Sequence, residues 1–325
     1  MLRRVVVVSH NDAAEGAPVM ATKIAEGLAG LGYSVALCCL SRSQNGLPGF
    51  AGIECLHTLD SETVVILNSV VSCKIAKILL GSTARIIGVV HEVYNETFSW
   101  VCPDTFAGVS RLVFVSQFCK DSYPVEFFSG APTRVIYNWL SDNERALIDA
   151  APRADGGYVL CLGSVARHKG QLVVAKAMAG SGRSLVLAGR VYDTEYLDEI
   201  KRCFDGELRV TGHVGRREAA MLLRGASMLV NPSPMESFSL VVQEAMYGMV
   251  PVVASRVGGI PEQMDDGVEG FMFASGSAKD CAGKICLAAA CSKAVAKAAR
   301  HRSISMFSAE DKVSNYAEEV ESLFC

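Results

Sequence analysis

Two glutamates with seven residues between them, Glu236 and Glu244, are the side chains of this sequence best spaced for chemistry. Glu236 lies in a loop of prolines and serines (Pro232, Ser233, Pro234), and Glu244 lies in a run with helical habit over residues 238–247. An apolar strand candidate, residues 227–230, precedes the loop, and another, residues 250–254, follows the helix. Strand, loop, helix and strand in that order put the loop at the carboxyl edge of a parallel sheet, where open α/β sheets bind ligands. The first amides of the helix, those of Phe238, Ser239 and Leu240, then face the loop beside Ser237, and amides at a helix start suit phosphate. One carboxylate in the loop and one about two turns into the helix can hold hydroxyls on either side of that phosphate. A phosphate flanked by polyhydroxylated groups describes a nucleotide sugar.

The elements around this segment repeat a simple alternation. In the first half, β-branched runs at 4–8, 34–39, 63–67, 85–90, 112–115 and 134–137 predict strands, with helical stretches such as 18–31 and 71–80 between them. A second series of strands falls near 158–162, 185–188, 208–210, 228–230 and 251–254, followed by helical stretches at 278–299 and 309–324. This is the sequence form of a doubly wound parallel sheet, met twice. A chain of 325 residues with 50% hydrophobic and 20% charged residues can fill two sizeable cores. The polar stretch 138–157, with Pro152 and Gly156-Gly157, reads as the connection between them.

Composition excludes several classes. The net charge of −3 leaves no nucleic-acid footprint. Residues 1–150 carry 11 Lys and Arg against 14 Asp and Glu, so this half is not built as a basic surface for anionic lipid. Peripheral membrane contact through a local patch stays open. The 12 cysteines include no C-x-x-C pair, which argues against zinc, and most sit in apolar runs as small hydrophobes. A reducing cytosol is the simplest compartment for them. Residues 1–10 read as a first strand too short for a signal peptide, and no run of about 18 apolar residues suggests a membrane span.

The segment from Asn231 to Gly270 resembles glycosyltransferase family 4, the retaining enzymes of the GT-B fold. The resemblance lies in Glu236 to Glu244, in Gly248 to Ser255 (GMVPVVAS), and in Gly258-Gly259-Ile260-Pro261-Glu262. It implies two facing Rossmann-like domains: an acceptor-side domain at 1–145, a linker at 146–157 and a nucleotide-sugar donor domain at 158–305. A C-terminal helix at 306–325 would cross back onto the first domain.

The resemblance also implies roles. Glu236 would hold hydroxyls of the donor sugar, and Glu244 the ribose hydroxyls. Gly163 to Gly170 is similar to the family's G-R-L-x-x-x-K-G segment, whose Arg and Lys hold the diphosphate. Lys169 matches the Lys, but Ser164 stands where the Arg is usual, and Arg167 three residues on is the candidate replacement. The loop 11–17 keeps one glycine, Gly16, of the family's usual pair near the phosphates. His91, at the end of the fourth strand, resembles the histidine that contacts the transferring sugar, and Tyr94, Phe98 and Trp100 after it are candidates for an acceptor wall. Val214, in Gly212-His213-Val214, resembles the loop beside the nucleotide base. Ser116 and Asn138 read as scaffold. The implied reaction moves a sugar from a nucleotide-diphosphate donor to a glycan or lipid-linked hydroxyl, without metal or other cofactor. The family's commonest setting is cell-envelope polysaccharide or glycolipid assembly at the cytoplasmic side of the membrane. Another GT-B activity, such as an epimerase or phosphorylase, or a non-catalytic binding subunit, is the alternative.

Overall fold

The computed structural model describes the chain except residues 1–2, 14–15, 43–45, 80–82, 96–99, 129, 154–155 and 291. It forms two compact units, one of residues 1–138 with 309–325, the other of residues 139–308.

The first unit is built on a sheet of six parallel strands: β1 (Arg4–Ser9), β2 (Ser34–Cys39), β3 (Thr63–Asn68), β4 (Arg85–Val90), β5 (Arg111–Phe114) and β6 (Thr133–Val135). Val5 to Val8 of β1 and Val64 to Leu67 of β3 are wholly buried. A strand covered on both faces reads as an unbroken apolar run, which is why these segments are conspicuous in the sequence. The strand order β2-β1-β3-β4-β5-β6 reverses direction between β1 and β3. The helix Gly16–Gly30 packs on β1, β2 and β3, and the final helix Ala309–Glu321 packs on that helix in turn. Gly27 lets them meet closely, since a Cβ there would overlap Val313. Arg134 donates to Glu318 (2.9 Å), Glu319 (3.0 Å) and Asn315 (2.8 Å), and Arg3 pairs with Glu321 at 2.7 Å. The helical stretch read at 71–80 is two short helices, Val70–Cys73 and Ala76–Leu79.

The second unit holds β7 (Tyr158–Leu162), β8 (Ser184–Ala188), β9 (Leu208–Gly212), β10 (Met228–Asn231), β11 (Val252–Ser255) and β12 (Phe271–Phe273), again all parallel. Their order, β9-β8-β7-β10-β11-β12, turns between β7 and β10. The loops after those two strands therefore open the crevice where such sheets take ligands. β12 escapes sequence reading because three apolar residues after a turn carry no period. The stretch read as a linker is also different in the structure. Much of it is a helix, Asp142–Ala150, started by a capping box in which Ser141 and Glu144 satisfy each other's backbone N–H groups. Ile148 and Ala151 bury against Ala220 and Tyr247, so this polar-looking helix is an integral part of the second unit. Two six-stranded parallel sheets with flanking helices make the α/β fold expected from the sequence.

Candidate functional site

The turn point of the second sheet brings the loops after β7 and β10 together. Gly170, with φ +74°, ends the one-turn helix Arg167–Lys169 and lies so close to the other loop that a Cβ would overlap the Pro232 carbonyl. Lys169 is thereby carried to Glu236, Nζ to Oε2 3.9 Å, with both side chains less than 35% exposed (34% and 16%). Gln171, buried at the start of helix Gln171–Met178, donates from Nε2 to the Ser164 carbonyl at 2.7 Å and holds the β7 loop in shape.

Glu236 is held from the other side by the two glycines after β11. Gly259 N–H donates to the Glu236 carbonyl at 3.0 Å. Gly258 has φ +56°, and a Cβ there would overlap the same oxygen. Gly258→Ala therefore meets both a left-handed conformation that side chains disfavour and a backbone clash. We expect it to cost about 3 kcal/mol, read as a lowered urea midpoint at unchanged slope; an unaltered midpoint would contradict this account.

The helix Leu240–Tyr247 starts between these loops. Ser239 caps it, its hydroxyl accepting from Val242 N–H (3.3 Å) and from Asn231 Nδ2 (2.9 Å). The three amides named from the sequence are not equivalent. Ser239 N–H donates to Gln263 Oε1 at 2.9 Å, and Gln263 Nε2 returns a bond to the Ser239 carbonyl at 2.9 Å. That closed pair is buried, so the Ser239 amide is spent on the fold and cannot serve a phosphate. Phe238 is buried against Phe307, ring centroids 5.5 Å apart. Among the described residues, no acceptor meets the N–H groups of Leu240 and Val241. Those two amides, with the positive end of the helix dipole and Lys169, form the anion-attracting part of the site. Ser237 is partly exposed between them and Glu236.

Arg167 does not join this group. Its guanidinium makes a two-point contact with Glu199 (Nη1 to Oε2 3.1 Å), pairs with Asp193 at 3.3 Å and stacks on Tyr196. Two carboxylates on and before the helix Thr194–Cys203 hold it, so the replacement of the missing Ser164 charge expected from the sequence is not made. The reason is local: a neighbouring helix offers the Glu199 carboxylate from its middle and Asp193 from its cap, a pair that a phosphate would have to outcompete.

Glu244 projects about one turn along the helix Leu240–Tyr247, its side chain 15% exposed, with Arg216 Nη1 3.7 Å from Oε1. The other terminal nitrogen of Arg216 meets Oε1 of Glu144. Neither partner was legible in the sequence, because Arg216 and Glu144 lie 28 and 100 positions away. Val214, two residues before Arg216, packs partly buried on the same core.

In the first unit, Gly16 opens the helix Gly16–Gly30 with φ +46° and is exposed. Asn68, at the end of β3, donates from Nδ2 to the Ala17 carbonyl at 2.6 Å. That bond turns its Oδ1 towards His91 Nε2, 2.9 Å away. The imidazole accordingly carries its proton on Nε2 and leaves Nδ1 as an acceptor. Burial lowers the His91 pKa to about 4, against the opposing pull of Glu92 and with a small contribution from His10. Since the unfolded chain takes up the proton near pH 6.5 and the folded one does not, stability is full above that pH and is lost as pH falls towards 4. The loss should be about 2–3 kcal/mol. Denaturation of wild type and His91→Gln at pH 7 and pH 4.5 checks it: an equal loss in both would refute the assignment. Asn68 was missed by sequence reasoning, although a lone amide closing an apolar strand was the available signal. Trp100 is 37% exposed beneath Lys74, and Tyr94 packs on Tyr123 and Phe127, while Phe98 lies outside the described residues.

Among the described residues, no group of three His, Cys, Asp or Glu side chains could hold a metal ion, and no helix is long and apolar enough to cross a membrane.

The two six-stranded parallel sheets with their flanking helices define a GT-B fold. The sucrose-phosphate synthase of Thermosynechococcus elongatus superposes with a TM-score of 0.81 over 99% of each chain at 18% identity. Anabaena Alr3699/HepE, solved with UDP-glucose, does so with 0.80 over 98% of this chain and 100% of that one, at 17% identity. Residues 156–290 match the family described as glycosyl transferases group 1. A stretch of 97 residues is 36% identical to the sulfoquinovosyl transferase SQD2 of Arabidopsis thaliana, covering 29% of this chain and 19% of that protein. A stretch of 59 residues is 51% identical to the D-inositol 3-phosphate glycosyltransferase of Streptomyces griseus, covering 18% of this chain and 12% of that protein. The matches thus span less than a fifth of either relative's length.

Proposed function

We propose that the chain is a glycosyltransferase that moves a sugar from a nucleoside-diphosphate sugar to an acceptor hydroxyl with retained anomeric configuration. The observation that carries this reading is the Lys169–Glu236 pair beside the open amides of Leu240 and Val241. Glu236 takes hydroxyls of the donor sugar and Glu244 those of the ribose. Lys169 and the two amides take up the charge that the departing diphosphate gains, the kind of electrostatic help worth most in a transition state. Retaining glycoside hydrolases use two carboxyl groups about 5 Å apart. The partner of Glu236 here is a lysine, which favours a different route: the acceptor attacks on the leaving-group face and a diphosphate oxygen takes its proton. His91 Nδ1 serves as an acceptor for a sugar hydroxyl. The reaction needs no metal, because Lys169 and the amides supply the positive charge. UDP and UDP-glucose in the Anabaena structures support a nucleotide-sugar donor. A glycan or lipid-linked acceptor in cell-envelope synthesis, met at the cytoplasmic membrane face, is the setting we favour.

One observation favours a second reading, a non-catalytic nucleotide- or glycan-binding subunit: Ser164 has no charge and Arg167 is held by Glu199 and Asp193. Nucleotide release from UDP-, GDP- and ADP-sugars, with bare-nucleotide binding on the same samples, separates the two. Release from one donor supports the enzyme; tight binding with no release under any acceptor supports the subunit.

A further inference from the structure

We propose that Arg216 and Glu144 are positioning residues that set the Glu244 carboxylate for the nucleotide ribose, so that ribose recognition depends on a helix outside the sheet crevice. The inference rests on the reading of Glu244 as the ribose carboxylate. Glu144 is the anchor. Its side chain is 7% exposed, and Oε2 is occupied by Ser141 N–H at 2.8 Å and Ser141 Oγ at 3.2 Å in the capping box of helix Asp142–Ala150. Its other oxygen meets Arg216. A carboxylate so enclosed cannot swing away, and a buried charge left without its partner is costly. Arg216 is the first residue of helix Arg216–Gly225, after Gly215, which offers no capping side chain. One branch of its planar fork is thus fixed by Glu144, and the other points to Glu244 Oε1 at 3.7 Å. The guanidinium also screens two carboxylates that would otherwise repel each other. Exposed ion pairs are worth little in stability. Orientation is a different quantity, since a carboxylate rotated out of line loses hydroxyl bonds without loss of fold.

The test compares affinities for UDP, GDP and ADP, and for the 2′-deoxy and 3′-deoxy forms of whichever binds tightest, by calorimetry. The wild type should prefer the ribonucleotide by at least about tenfold, the scale of a hydrogen bond to a charged group. Glu244→Ala should bring that preference to within about twofold of unity. Arg216→Ala should do nearly the same, and Glu144→Gln should reduce the preference at least about threefold. Glutamine still completes a capping box, so Glu144→Gln removes the charge and keeps the helix start; thermal melting confirms the fold of each variant. Arg216→Lys should recover part of the preference, and stands in if Arg216→Ala fails to fold. A wild-type ratio in Arg216→Ala and Glu144→Gln, with the ratio lost in Glu244→Ala, overturns this proposal alone. A wild-type ratio in Glu244→Ala, or no nucleotide binding by the wild type, overturns the underlying ribose reading and this proposal with it.

Discussion

Glu236→Ala is expected to reduce sugar transfer by about a thousandfold while the protein melts within a few degrees of the wild type. In the proposed reaction the carboxylate orients the donor sugar, and misplacement of a reacting group by about 1 Å can cost about a hundredfold. Loss of a charged acceptor that strengthens as the transition state forms adds to that. The fold should be spared because Glu236 sits in a loop and its pair with Lys169 is partly exposed, a class of interaction worth about 0–1 kcal/mol. What holds the loop is main chain: the Gly259 N–H on the Glu236 carbonyl, which alanine retains. Glu236→Gln keeps the shape and loses the charge, so an intermediate rate would assign the effect to charge. Initial rates of nucleotide release with the donor identified from the panel measure both; a Glu236→Ala enzyme as fast as the wild type would sink the donor-site assignment.

The second large effect is at Lys169. Lys169→Ala should lower kcat about a hundredfold to a thousandfold, the range for one electrostatic donor aimed at developing charge. KM for the donor should change far less, because the extra charge on the diphosphate exists only as the bond breaks. The effect is concentrated on this residue because Arg167 is held by Glu199 and Asp193 and Ser164 is neutral. If Arg167 were the true diphosphate cation, Arg167→Ala would cost as much as Lys169→Ala; we expect it to cost less than tenfold. Addition of a chelator should leave the wild-type rate unchanged, and strict dependence on a divalent ion would overturn the metal-free proposal.

The two sheets were legible in the sequence because parallel strands covered on both faces are continuous apolar runs, such as Val5 to Val8 and Val64 to Leu67. The edge strand Phe271–Phe273 was not, being too short to show a period. The helix Asp142–Ala150 was hidden for the opposite reason: its polar residues look like a linker, although Ser141 and Glu144 at capping spacing mark a helix start.

By itself the sequence determined which chemistry this protein is equipped for: two glutamates at a loop and on a helix, a lysine after a strand, and glycines where chain must pass chain. Those are local properties, set by residue type, spacing and the period of the strands. Only the tertiary structure decided which groups serve the site. It gave the Ser239 amide to Gln263, gave Arg167 to Glu199 and Asp193, joined Glu244 to Arg216 and Glu144, and assigned the His91 proton through Asn68. The physical reason is that a polar group forms its bonds with whatever the fold brings within about 3 Å, and spacing along the chain carries no record of partners that distant.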